Sequence, residues 1–291
     1  MNKIKIMTDS SSDLTMEVAQ KHDIHILNFT VMINDKSYTD NVDMTNDEFY
    51  ELMSTSSGFP KTSQITIMQF EEVYTEFFKE GYTDIIYVSI SSTGSATYNN
   101  AINAIEMFYE NVPEARGKMN IHVVDSLNYT AAMGYPTLQA AIKAKKGADV
   151  SEILAYLDEW FSSVEVHFVP YTLEYVKRSG RLSAAAAFVG ELLGLKPVIN
   201  IIDGESHVPE KIRGEKNIMP KLIETAKKNM IPQTPYIVLA GSMEDVTSAF
   251  EKEITKALGY PPEYTAKIGI TVASHAGPKV IGLIFKGQKR R

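Results

Sequence analysis

Cysteine is absent from the 291 residues, which excludes disulfides and thiolate zinc sites and suits a reducing compartment. A basic surplus is absent too. The 29 Lys and Arg stand against 36 Asp and Glu, for a net charge of −7, and this excludes a generic nucleic-acid binder, whose phosphate contacts need the opposite balance. No apolar run approaches the roughly 18 residues that a bilayer span requires. The opening stretch Met1 to Asp9 is too short in its apolar part for a secretory signal, so the expected location is the cytoplasm. Repeats and low-complexity tracts are missing. So is any Gly-x-Gly-x-x-Gly or Walker-type sequence after a candidate strand, which takes away the main support for a dinucleotide or P-loop site.

What is present is a chain of ordinary globular composition, 44% hydrophobic and 22% charged, long enough for two cores. The expected domains are residues 1–164 and 165–291. In the first, short apolar strands at 4–7, 24–31, 84–89 and 121–124 alternate with helical spacing at 46–53, 70–77 and 101–109, and another helical stretch follows Asp13. That alternation predicts a three-layer α/β/α unit with a mainly parallel sheet. From 165 onward the pattern becomes α+β with a mixed or antiparallel sheet. A strand at 165–171 precedes a small apolar helix at 184–193, a hairpin turns at Asp203-Gly204, and helices follow near 218–230 and 246–258. Strands are expected at 236–240, 267–272 and 280–285.

The chemistry concentrates in hydroxyls. Strands end in Thr8-Asp9-Ser10-Ser11-Ser12-Asp13, in Ser89-Ile90-Ser91-Ser92-Thr93-Gly94-Ser95 and in Asp125-Ser126, and a further hydroxyl loop is expected at Pro60-Lys61-Thr62-Ser63-Gln64. At the carboxyl ends of parallel strands such residues either cap the next helix or donate to a ligand. Asp9, Asp13 and Asp125 read more simply as caps and turn closures than as ligand contacts, and their spacing is too generic to name a metal. Two other site chemistries stay open on these residues. One is a nucleotide or sugar-phosphate module built on the hydroxyl loops and helix N-termini. The other is a hydrolase relay of Ser95, His275 and an Asp such as Asp125, although Thr93 and Thr97 stand where a nucleophile elbow needs glycines.

Taken together, the Thr8 to Leu14 segment, the Thr62-Ser63-Gln64 loop, residues 90–98, 123–126, 177–183 and 192–204, Lys211-Ile212-Arg213 and His275-Ala276-Gly277-Pro278 resemble the DegV family in order and spacing. Each motif is weak alone, but the set spans nearly the whole chain. The resemblance implies a two-domain α/β protein that encloses a long-chain fatty acid between its domains. In many Gram-positive bacteria such proteins serve as the fatty-acid-binding subunit of fatty acid kinase, handing the acyl carboxylate to a separate ATP-binding kinase protein.

Carried onto this sequence, the resemblance places the carboxylate near Thr62 or Ser63 and Ser95, with His275 closing the site from the second domain. It places Arg213, with Arg181 in the family's Gly-Gly-Arg-type turn, toward the partner and its phosphates. It implies no metal or cofactor of the chain's own, no catalytic residue, no nucleic-acid partner, and at most transient contact with a membrane surface. The sequence departs from the family at Gly94, Ala96, Ile65, Ser179 and Lys279, the last expected to stand in solvent.

Overall fold

The computed structural model describes residues 3–182 and 194–290, and the apolar helix expected at 184–193 lies outside the described residues. The first sheet is parallel, in the order β2-β1-β6-β7, with β1 Ile4–Asp9, β2 Ile24–Leu27, β6 Asp84–Ser89 and β7 Asn120–Asp125. Its central strand β6 is buried along its whole length, as expected of a strand covered on both faces. Helices α1 (Met16–His22) and α5 (Ala131–Lys145) pack together against β1 and β2. Helices α3 (Ile67–Lys79) and α4 (Thr97–Asn111) cover β6 and β7, with the ring of Phe70 against that of Tyr87. This is the α/β/α layering expected.

Two readings need correction here. The stretch 24–31 is not one strand. It breaks at Asn28-Phe29, where the Phe29 N–H donates to Ser10 Oγ at 3.0 Å and the Phe29 carbonyl accepts from the Asp40 N–H. After the break, β3 (Thr30–Ile33) leaves the parallel sheet for a small antiparallel one with β4 (Lys36–Thr39) and β5 (Lys61–Ser63). Thr62 and Ser63 are therefore strand residues rather than loop residues, in register with Val31 and Thr30.

The second sheet has the order β10-β9-β8-β13-β11-β12, antiparallel except for the β11–β12 pair. It comprises β8 Val164–Pro170, β9 Leu195–Ile202, β10 Glu205–Arg213, β11 Tyr236–Ala240, β12 Tyr264–Lys267 and β13 Val280–Lys286. The predicted hairpin is present. Its two-residue turn places Asp203 and Gly204 at φ of 50° and 85°, the left-handed pair that a tight hairpin requires.

Period-two alternation gives this sheet two apolar faces. Val169, Val238, Ile281, Leu283 and Phe285 form one core with Leu222 of α8 (Ile218–Asn229) and Phe250 of α9 (Glu244–Leu258). Val166, Phe168, Ile199, Ile201, Leu239 and Val280 point the other way and join the core of the parallel sheet.

The predicted strand over 267–272 is not found. β12 ends at Lys267, and residues 270–276 form a short helix, α10 (Ile270–Ala276). The β-branched run Ile270-Thr271-Val272 favours a strand, but tertiary contacts override that weak preference. Gly269, extended at the N-cap, donates its N–H to Asp13 Oδ1 at 2.8 Å. Thr271 donates N–H and Oγ1–H to Asp40 Oδ2 at 3.3 and 2.6 Å, and Tyr50 OH donates to the Ile268 carbonyl. Buried carboxylates from the N-terminal half thus accept from the free N–H groups with which any helix begins.

Candidate functional site

Helix α10 helps enclose a cavity of about 1170 Å³ between the rim of the parallel sheet and the inner face of the second sheet. This volume is somewhat above the range of about 300–1,000 Å³ usual for small-molecule sites. Three elements bring polar groups to it. β5 brings Thr62 and Ser63, and its place is fixed by the β3 ladder and by the α3 capping box, in which Thr66 and Gln69 satisfy each other's backbone N–H. The loop after β6 brings residues 92–96, and α10 brings His275. Apolar side chains share the wall, among them Phe29, Ile90, Val166, Phe168, Ile201 and Leu239.

Thr62 and His275, far apart in sequence, meet here. Thr62 Oγ1 lies 3.0 Å from His275 Nε2. The ring is deeply buried, and burial, helped by the positive charge of Arg181, lowers its pKa to about 4, so the imidazole is neutral at pH 7. Its Nδ1 is buried and has no hydrogen-bond partner among the described residues. Ser95 Oγ lies 2.9 Å from Thr97 Oγ1 and accepts the Thr97 N–H, while Thr97 Oγ1 accepts from the Ile65 N–H, which ties the Ser95 loop to the end of β5.

Asp125 Oδ1 accepts from the N–H groups of Ser92 and Leu127 at 3.1 and 2.9 Å. Asp125 therefore closes the loop and does not face His275, so the relay of Ser95, His275 and Asp125 is not assembled. Asp9 likewise turns inward, accepting from Ser11, Tyr87 OH and the Ile90 N–H, and burial raises its pKa. The hairpin of the second sheet meets the same loop, through a 2.5 Å bond from Thr93 Oγ1 to the Gly204 carbonyl.

Thr62, Ser63, Ser95, Arg181 and His275 all line the one cavity, Ser63 and Arg181 from exposed positions. The Arg181 guanidinium folds back to donate to the Ser179 carbonyl at 2.9 Å. Arg213 is exposed at the end of β10, opposite Leu195, and is not among the residues lining the cavity. Lys279 is exposed. Gly94 has a steric reason, because a Cβ there would fall 2.3 Å from the Tyr129 hydroxyl.

Three contributors to the site were not foreseen from the sequence: Asp40, Tyr129 and Thr130. The turn-like surroundings of Asp40 hint at a loop and not at a buried acceptor. Among the described residues no group of three His, Asp or Glu is placed to hold a metal, and no helix is long and apolar enough to cross a membrane.

An α/β protein with a partly open cavity, lined by apolar side chains and by hydroxyls and holding a paired threonine and histidine, defines the class. The chain belongs to the DegV family, whose profile, described as that of an uncharacterised protein, matches residues 3–287. A DegV domain-containing protein of Caldanaerobacter subterraneus is 32% identical over 290 residues, covering 98% of this chain and 99% of the relative. Among solved structures, a stearic acid-binding protein from Eubacterium ventriosum superposes with a TM-score of 0.87 at 29% identity, covering 98% of both chains. A DegV family protein from Thermus thermophilus, described for its fatty acid binding, gives 0.85 at 27% identity, over 98% of this chain and all of the other.

Proposed function

We propose that this protein binds a long-chain fatty acid in the cavity, between domains formed by residues 1–164 and 165–291, and presents its carboxylate to a partner ATP-dependent kinase subunit in the cytoplasm. The observation that carries the reading is the pairing of Thr62 with a neutral His275 in a cavity that also presents the apolar side chains of Phe29, Val166, Phe168, Ile201 and Leu239. Burying about 14 methylenes at roughly 0.8 kcal/mol each offers on the order of 11 kcal/mol before ordering costs. The tail then supplies affinity and the head sets orientation. A carboxylate only accepts hydrogen bonds, so the matching proton arrangement has His275 Nε2–H donating to Thr62 Oγ1 and the Thr62 hydroxyl donating to the ligand. Ser95 gives a second donor from the facing loop. Each charge-assisted bond contributes roughly 1.5–3 kcal/mol.

Solvent extraction of the purified protein followed by mass spectrometry tests the proposal. A near-stoichiometric fatty acid supports it, and a protein that stays empty after incubation with palmitate or stearate overturns it. No metal or cofactor of the chain's own is required, since the partner would supply nucleotide and metal while this chain holds the acyl head in place for phosphoryl transfer.

Arg213 and the cavity lie apart, which separates binding from presentation. Arg213→Ala is expected to leave fatty-acid affinity within about twofold and to lower acyl-phosphate formation with a kinase partner by about tenfold or more, as for a charged contact at an interface. Titration with a fluorescent fatty acid, run beside the coupled kinase assay, checks both halves. Weakened binding in this variant would mean that Arg213 acts on the cavity after all.

A further inference from the structure

The turn that carries Ser95 is built around Ser91, which is fully buried. The Ser91 N–H donates to the Asn128 carbonyl at 3.0 Å, and the Ser91 carbonyl accepts the N–H groups of Gly94 and Ser95 at 3.0 and 3.2 Å. All of these bonds stay within the N-terminal half. Thr93 reaches the other half, because its Oγ1–H donates at 2.5 Å to the carbonyl of Gly204, at the tip of the β9–β10 hairpin. A carbonyl cannot donate, so the one Thr93 proton is committed there. The 2.9 Å contact between Ser91 Oγ and Thr93 Oγ1 then has Ser91 as its donor, while Ser91 Oγ accepts the Thr93 N–H at 3.4 Å. Thr93 thus joins the centre of the Ser95 turn to the hairpin.

Such a tie fixes position only if its far end is fixed. The tip is held by the ladder pair of Ile202 with Glu205 and by Arg290, which lies 3.6 Å from Asp203 and donates from Nη2 to the Val164 carbonyl at 2.9 Å. The approach is also close. A Cβ on Gly204 would fall 3.0 Å from both Ser91 Oγ and Thr93 Cγ2, and 3.2 Å from Leu127 Cδ2. The groups assigned to the carboxylate come from both halves, Ser95 and Thr62 from the first and His275 from the second. Helix α10 is joined to the first half at its start through Asp13 and Asp40, and the Ser95 turn is joined to the second through Thr93. Hydrogen bonds weaken steeply when misdirected, so donors from two bodies serve one carboxylate only while their separation is held.

We propose that Thr93 is a positioning residue for the fatty-acid head group: by tying the Ser95 turn to the hairpin it sets the separation of Ser95 from His275, and so strengthens the preference of the cavity for a carboxylate over an uncharged head. The inference rests on the fatty-acid reading of the same cavity. Thr93 acts through Ser95 and not on the ligand, since its proton is already spent on Gly204.

The test compares delipidated wild type, T93V, T93S, S95A and T93V/S95A by displacement of a fluorescent fatty acid with palmitate and with 1-hexadecanol, which has the same tail without the charge. In T93V, palmitate is expected to bind about three- to fivefold more weakly and hexadecanol to change by no more than about twofold, since only the bonds to the charged head are misdirected. T93S keeps the hydroxyl and should restore the palmitate preference. T93V/S95A should bind palmitate within about twofold of S95A alone, because the tie has nothing left to position. G204A, whose methyl group would press the hairpin off the turn, should reproduce T93V, so the test survives if T93V fails to fold. A palmitate-to-hexadecanol ratio unchanged in T93V and G204A overturns the proposal, and so does an equal loss of both ligands, which a merely structural role would give. Losses that multiply in T93V/S95A overturn the route through Ser95. If the wild type binds neither ligand, the fatty-acid reading fails and the positioning role with it, an outcome distinct from palmitate binding that Thr93 does not influence.

Discussion

His275→Ala is expected to weaken palmitate binding by about 10- to 100-fold and to reduce acyl-phosphate formation with a kinase partner by more than that. The first figure corresponds to losing most of the charge-assisted Thr62–carboxylate bond, roughly 1.5–3 kcal/mol, once the ring that holds the Thr62 hydroxyl toward the ligand is gone. The second is larger because Thr62 Oγ1, 3.0 Å from the ring, loses the group that orients it. A freely rotating hydroxyl no longer fixes the carboxylate oxygen for in-line attack, and proximity catalysis is sensitive to such misplacement. Ser95→Ala should show a milder form of the same pattern, since the Ser95 loop is also held by the Ile65 N–H bond to Thr97. Thr62→Val should match His275→Ala in both measurements. Tail burial persists in each variant, so binding is reduced and not abolished. Phosphorylation at the wild-type rate in both His275→Ala and Ser95→Ala would remove the head-group assignment.

The residues expected at the head group stand in the sequence as short contiguous strings, and long-range folding brings Thr62, Ser95 and His275 from three such strings to one cavity. The fold was legible where local pattern and tertiary environment agree. Strand β6 is apolar and buried throughout, and the turn Asp203-Gly204 has the residues its backbone demands. The misreadings fall where a distant partner decides. Nothing between residues 267 and 272 announces a helix, because the acceptors for its first N–H groups, Asp13 and Asp40, lie more than 200 residues away in the chain. The 24–31 run looks like one strand because the donor bond that breaks it, from Phe29 to Ser10, is also non-local. Helix α5 contains Gly134 and Pro136, which conceal its period, and Gly134 is there because a Cβ would fall 2.2 Å from the Ser12 carbonyl. Thr130 is invisible for a different reason: its strain and its unpartnered oxygen are properties of the folded backbone.

Replacement of Asp40 by Asn is expected to change how stability depends on pH by on the order of 3 kcal/mol between pH 4 and pH 7. Burial raises the Asp40 pKa to about 6 from an ordinary 3.8, and the hydrogen bonds from Thr271 only partly oppose the shift. In that window the folded chain holds a proton that the unfolded chain has released. This group's contribution therefore favours folding at low pH and is lost as the pH rises through 6. The size follows from a shift of about two units at 1.36 kcal/mol each. Two other buried groups act in the opposite sense. His275 and His25, each lowered to about 4 chiefly by burial, favour the folded state more as the pH rises toward 6.5. The wild-type profile thus mixes opposed slopes, and the informative quantity is the difference between Asp40→Asn and wild type in urea midpoints at matched pH. The Asn side-chain oxygen can still accept from Thr271, so α10 keeps its start and His275 its position. The variant should gain on the wild type as the pH is raised from 4 to about 6, and the difference should level off above that. A difference that stays constant over that range would mean that Asp40 titrates as it does in water. The junction of α10 with the N-terminal half would then be wetter than its hydrogen bonds imply, and that half would exert less control over where His275 stands.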